Sequence, residues 1–264
     1  MKLATFDRVA EQAMRHRRPP RQSSATRCCL MERRDCFEFL AALRANSVDL
    51  VLTDPPYTIS RKTGFQQVKN GVQRFAVSME FGHWDTEPID LPRLAAGLYR
   101  ALRQGGTAII WYDLWKFSHL SDAMSAAGFK MLRFLIWEKT NPVPLNQKAT
   151  YLSNSREIAI VGVKGGKPTF HSRYDNGVYR APIPRHNGSR IHPTQKPLDI
   201  FTQLVRKHSN RGDLVIDPFL GSGTSAIAAL KTGRKFLGCD INAGYIKKAR
   251  QRFTSCSGRG ACLS

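Results

Sequence analysis

Acidic side chains are scarce in this chain, with 20 aspartates and glutamates against 41 lysines and arginines and a formal charge of +21. Such a balance attracts polyanions, with nucleic acid as the favoured partner, although ribosome-associated and membrane-surface proteins share it. Long apolar runs are missing too. None approaches the ~18 residues of a membrane span, so a cytoplasmic protein is expected, associated with the nucleoid if its partner is DNA. The six cysteines, Cys28, Cys29, Cys36, Cys239, Cys256 and Cys262, form no C-x-x-C pair and have no H-x-x-x-H nearby, so no structural metal is expected and a reduced compartment is the simplest setting. No G-x-x-x-x-G-K-[ST] occurs, which disfavours phosphoryl transfer on a P-loop.

What the chain does have is alternation. A length of 264 residues suits one α/β domain with insertions and is too short for two catalytic domains. Residues 1–27 are arginine-rich and acid-poor, broken by Pro19-Pro20, and read as a disordered basic tail; 255–264 read as a second tail. Between them, short apolar runs predict strands at 28–33, 48–53, 107–112, 129–137, 156–163, 214–217 and 235–240. Helical periodicity predicts helices at 36–45, 89–103, 114–127, 198–208, 224–232 and 243–253. This is the pattern of a doubly wound, mostly parallel, seven-stranded sheet. Two stretches break it. Residues 58–83 carry four basic and no acidic side chains before Glu80, and 164–191 carry six basic residues against Asp175 alone, with Phe170, Tyr174 and Tyr179 interleaved. Long irregular segments in a compact domain usually serve function, and the second has the better composition for touching nucleic acid.

Two strand ends carry chemistry. Asp217-Pro-Phe219-Leu-Gly221-Ser-Gly223-Thr224 leads from a strand into a helix, and its glycines allow a tight turn and close backbone approach to a ligand. Asp240, ending the next strand, is placed to accept hydrogen bonds from the ribose hydroxyls of an adenosine moiety. Gly221, Gly223 and Ala226 with Asp240 also satisfy the dinucleotide fingerprint, so an NAD-dependent oxidoreductase is a rival at this point. The second strand end reads Asp54-Pro55-Pro56-Tyr57. A lone Asp-Pro-Pro is more often a turn. As a site, however, it suits an exocyclic ring amine, whose lone pair is delocalised and whose hydrogens need acceptors as the nitrogen becomes tetrahedral. Asp54 can take one hydrogen, a carbonyl beside the prolines the other, and Tyr57 offers a face for stacking an extruded base.

With these motifs in this order, the chain resembles the permuted (beta-class) DNA amino-methyltransferases of adenine-N6 and cytosine-N4 type, in which the catalytic tetrapeptide precedes the cofactor loop. His192-Pro-Thr194-Gln195-Lys196-Pro197 matches a third motif, and Trp137-Glu-Lys-Thr-Asn-Pro142 and Gly238-Cys-Asp240 followed by Tyr245 extend the likeness from about residue 28 to about residue 253. The resemblance implies a Rossmann-like methyltransferase domain at 28–254, with a catalytic half at 28–163, a target-recognition insertion at 164–191 and a cofactor half at 192–254. It implies S-adenosyl-L-methionine as cofactor, with Thr194, Gln195 and Lys196 at its methionine end, Asp217, Phe219, Gly221, Gly223, Thr224 and Asp240 around it, and Asp35 near its adenine ring. Asp35 reads equally well as a helix cap. Double-stranded DNA is the implied partner, with a homodimer and a cognate restriction endonuclease among the family's associations. An aspartate-first tetrapeptide goes with adenine and a serine-first one with cytosine N4. Cytosine C5 chemistry, which needs a nucleophilic cysteine, is disfavoured because no Pro-Cys pair stands in the catalytic position. Methylation of RNA is a further alternative.

Overall fold

A computed structural model describes residues 29–56, 89–142, 153–184 and 195–257. Tyr57, Thr194, the loop at 58–83 and both tails lie outside the described residues, apart from Ser255 to Ser257, which continue the last helix.

The strands are β1 (Cys29–Arg33), β2 (Val48–Thr53), β3 (Leu102–Tyr112), β4 (Lys130–Lys139), β5 (Arg156–Val163), β6 (Val178–Ala181), β7 (Leu214–Asp217) and β8 (Lys235–Asp240). They form one sheet in the order β1-β8-β7-β2-β3-β5-β4-β6. Pairing is parallel except where β5 runs antiparallel to both β3 and β4. The helices are α1 (Cys36–Ala42), α2 (Leu91–Ala101), α3 (Phe117–Ala126), α4 (Leu198–His208), α5 (Thr224–Lys231) and α6 (Ala243–Ser257).

The central strands are largely apolar because helices cover both faces, and alternation sorts their side chains between two cores. Val51, Ala108, Ile110, Ile216 and Leu237 pack with Phe39, Leu94, Leu98 and Leu120 from α1, α2 and α3. Leu50, Leu52, Ile109, Trp111 and Val215 pack on the other face with Phe201, Leu204, Ala228 and Ile246 from α4, α5 and α6. The doubly wound sheet therefore stands, and the seven expected strands all form.

Two details differ from the sequence reading. An eighth strand, β6, arises inside the stretch expected to be irregular and pairs with the end of β4, where the Trp137 indole N–H donates to the Ala181 carbonyl at 2.9 Å. The strand expected at 107–112 starts earlier, at Leu102, and takes in Gly105-Gly106 at a bulge. The partners of Val48 and Leu50 on β3 are Leu102 and Thr107, and Gly105 has φ +75 with the Lys167 carbonyl where a Cβ would stand.

The chain order places the site. From β2 the chain winds outward to β3, and from β7 it winds the other way to β8, so the adjacent strands β2 and β7 flank a topological switch point. In open α/β sheets, ligands bind outside the carboxyl ends of the strands at such a point.

Candidate active site

Asp54 follows the last residue of β2, and Asp217 ends β7 beside it. The Thr53 hydroxyl donates to Asp217 Oδ1 at 2.7 Å, the Phe219 amide donates to the same oxygen at 3.0 Å, and the Ser225 hydroxyl donates to Oδ2 at 2.5 Å. Asp217 is only 3% exposed, and its carboxylate braces the glycine loop from behind across the switch point. Burial pushes its pKa up to about 6, against the pull of the Ser225, Thr53 and Phe219 donors, with the Asp54 charge adding to the rise. An acid whose folded pKa exceeds its unfolded one destabilises the fold once it must ionise. Asp217 accordingly makes stability fall as pH rises from near 3.8 through about 6. In Asp217→Asn this component should be absent, so melting temperatures of the variant and wild type, measured across that window, should converge or cross as pH rises.

The loop after Asp217 is closed by backbone bonds. Leu220 N–H donates to the Cys239 carbonyl and Gly223 N–H to the Leu220 carbonyl, both at 2.9 Å. Gly221 and Gly223 adopt φ +48 and +76, which only glycine takes without strain. Asp240, ending β8, accepts from Gly221 N–H at 2.9 Å and Asn242 N–H at 2.8 Å, and burial raises its pKa against those two bonds. Arg252 of α6 holds the loop from outside, donating to the Ser222 carbonyl at 3.0 Å and the Thr224 hydroxyl at 3.1 Å. A cleft results. Asp54, Gln195 and Lys196 line it together with Asp217, Phe219, Gly221, Ser222 and Thr224. A wider groove between Arg33 and α6, about 700 Å³, lacks the strand-end carboxylates and glycine loop. Asp35 caps α1, accepting from the Phe37 and Glu38 amides at 2.8 and 3.2 Å, one residue after Arg34, whose N–H bonds the Asp240 carbonyl.

Lys196 is the departure from expectation. Its Nζ donates to Asp54 Oδ2 at 2.6 Å and stands 3.0 Å from Glu157 Oε2, while Lys139 Nζ is 2.9 Å from Glu157 Oε1. Burial works against the lysine charge, but the Asp54 and Glu157 carboxylates outweigh it and hold the ammonium above the ordinary lysine range. Burial likewise opposes ionisation of Glu157, and Lys196 and Lys139 outweigh it in turn, so that acid is held below the ordinary range. Sequence reasoning missed Glu157, Lys139, Ser225 and Arg252. Glu157 is the second residue of β5, and because β5 is antiparallel its first residues lie at the edge where the parallel strands end.

Comparison with known proteins shows the family. A family model described as DNA methylase matches residues 48–251. The chain belongs to the DNA methylase family. The type II methyltransferase M2.DpnII of Streptococcus pneumoniae is 31% identical over 240 residues, covering 83% of this methylase and 87% of the relative. Among solved structures, a complex of M1.HpyAVI with S-adenosylmethionine shares the fold at TM-score 0.63 and 23% identity, covering 85% of this chain and 99% of that one. The cytosine-N4-specific PvuII DNA methyltransferase does so at 0.65 and 15%, covering 88% and 92%. The methylase acts on DNA with S-adenosyl-L-methionine as methyl donor, and the cleft fits that group. Left-handed glycines let backbone approach a ligand, Asp240 ends the neighbouring strand as a carboxylate, and Phe219 gives an aromatic wall where a cation would lie. Membership of the family sets the NAD reading aside.

Proposed function

We propose that this methylase transfers the methyl group to the N6 amine of adenine in double-stranded DNA. The observation that carries the amine chemistry is the Asp54 carboxylate at a strand end, lining one cleft with the glycine loop, and the aspartate-first tetrapeptide favours adenine over cytosine. Bound S-adenosyl-L-methionine supplies an electrophilic methyl group on a sulfonium. The chain's own residues prepare the amine. Asp54 and the Pro55 carbonyl accept its hydrogens as the nitrogen becomes tetrahedral, Pro56 withholds a competing N–H, Tyr57 stacks the extruded base, and the departing proton passes to an acceptor at Asp54. Gln195, Phe219, Gly221, Gly223, Thr224 and Asp240 hold the cofactor, with Thr194 beside Gln195 and Asp35 toward the adenine end. Mass spectrometry of nucleosides from DNA methylated with labelled donor is the test. Label in N6-methyladenine is expected; label in N4-methylcytosine would move the assignment to the other exocyclic amine.

Target recognition is proposed for 164–191, with the described part entering as an ordered arm. Lys207 of α4 donates to Asp175 at 2.6 Å and to the Tyr179 hydroxyl at 3.1 Å, fixing the arm to the body. Counting basic residues overstated its surface, because Lys164 is buried and donates to Asn46 Oδ1 at 2.8 Å. Arg173 and Tyr174 do face solvent, and Tyr174 is fully exposed with φ +53. A tyrosine held there costs about 1 kcal/mol relative to glycine and gains nothing from burial, which suits a ring kept for stacking on a base. Tyr174→Gly should raise the melting temperature by about 2–4 °C while raising the KM for DNA. A lower melting temperature with unaltered KM would assign the ring to structure. A homodimer, a cognate restriction endonuclease and association with the nucleoid belong to the same proposal, the first readable by sedimentation.

A further inference from the structure

Resting on the reading of Asp54 as the acceptor for the amine, we infer that Lys196 is a positioning residue of methyl transfer that acts through Asp54, with Glu157 and Lys139 as its support, and that it is not a ligand of the cofactor. The geometry is that of a charge chain. Asp54 follows β2, Lys196 precedes α4, Glu157 is the second residue of β5 and Lys139 closes β4, and the contacts of 2.6, 3.0 and 2.9 Å run Asp54, Lys196, Glu157, Lys139 in alternating sign. Lys196 is 4% exposed, and the Trp111 ring of β3 stands 5.8 Å from its Nζ. A buried ammonium needs compensation, and two carboxylates provide it here. The consequence for Asp54 is directional. With Oδ2 held by Lys196, the carboxylate cannot spin about its Cβ–Cγ bond, so the plane in which it meets an amine is set before substrate arrives.

The same contact sets its proton affinity. A cation at hydrogen-bond distance favours the ionised acid, the form able to accept an N–H. Among the described residues, the charged groups that bear on Asp54 include Asp217 on β7, which opposes ionisation, and beyond Lys196 the Glu157 and Lys139 pair. Glu157 therefore has two effects: it anchors Lys196, and its negative charge partly offsets the lysine at Asp54.

These effects predict shifts of opposite sign. With full-length protein, DNA from a methylation-free host and labelled donor, kcat, KM and donor Kd are measured from about pH 5 to about pH 9. Lys196→Met should lower kcat about 10- to 100-fold, move the acid limb of kcat up by about one pH unit, and leave donor Kd within about threefold. Glu157→Gln should lower kcat less and move the acid limb down. Asp217 titrates in the same window and is coupled to Asp54, so the three proteins are also compared in an Asp217→Asn background, where the differences report on Asp54. Lost donor affinity in Lys196→Met with kcat preserved at saturating donor would make Lys196 a cofactor ligand and overturn the inference, as would acid limbs that coincide in the variants and wild type. If Lys196→Met does not fold, the sign of the Glu157→Gln shift decides alone, an upward or absent shift overturning the inference. Wild-type protein without methyl transfer would instead defeat the assignment of function on which the inference rests.

Discussion

Asp54→Ala should retain cofactor and DNA binding and lose methyl transfer by about 10²-fold or more. An acceptor that helps a conjugated amine rehybridise acts mainly in the transition state, so removing it lowers turnover with little effect on ground-state affinity. The structure also says why the variant should stay folded. Lys196 keeps its second partner, Glu157, so the truncation does not strand a buried ammonium. Asp54→Asn separates shape from charge, since it retains a carbonyl acceptor but loses the attraction for Lys196, and it should fall between wild type and Asp54→Ala. Single-turnover transfer of labelled methyl groups, with calorimetric titration of S-adenosyl-L-methionine, measures both halves. Substantial turnover by Asp54→Ala would remove the carboxylate from the mechanism.

Gly223→Val should both destabilise the protein and abolish cofactor binding. Two costs add at this position. The residue has φ +76, which costs a side chain about 1–2 kcal/mol, and a Cβ there would stand 3.0 Å from the Ala249 Cβ on α6, adding roughly 1–3 kcal/mol of overpacking. At about 2–4 °C per kcal/mol, the melting temperature should drop on the order of 10 °C. Gly212 supplies the control, having φ +84 but no atom within 4 Å of the point where a Cβ would stand. Gly212→Ala should show the conformational cost alone and leave donor affinity unchanged. A folded Gly223→Val protein that binds the donor normally would place the cofactor away from this loop.

The parts of this fold legible in the sequence are those in which burial imposes a pattern. Strands covered on both faces, such as Val48–Thr53, must be largely apolar, the two polar residues there, Asp49 and Thr53, both being hydrogen-bonded, and Leu198–His208 repeats its buried Phe201, Leu204, Val205 and His208 at helical spacing. β6 escapes because its four residues alternate buried and exposed side chains and become a strand only by pairing with β4. Strand direction is equally invisible. Nothing local in Arg156–Val163 distinguishes parallel from antiparallel, yet direction alone decides whether Glu157 meets Lys196 at the site or lies at the far end of the sheet. The glycine loop, Asp54 and Asp240 could be read because their chemistry is bound to short motifs. The task of Lys196 could not, since its motif fixes its place in the chain and not which carboxylates reach it. Lys164 shows the same limit, as a positive charge counted along the chain has no direction until Asn46 turns it inward.

The seam between β2 and β7 bears on how the molecule folds. Its hydrogen bonds, from the Leu214 amide to Asp49 and from Thr53 to Asp217, join residues 165 and 164 positions apart, whereas each flanking strand–helix–strand unit is local. Closing so long a loop costs chain entropy before the contacts form, so the seam, like the β1–β8 pairing, is expected to form late on the folding pathway. The two carboxylates of the cleft come from opposite sides of that seam, and no half-molecule contains the site. A ligand that touches both sides binds only the closed form and stabilises it by mass action. Donor occupancy should therefore slow amide hydrogen exchange at Leu214 and in β2 more than in the helices, making this join a gauge of whether the cleft is filled.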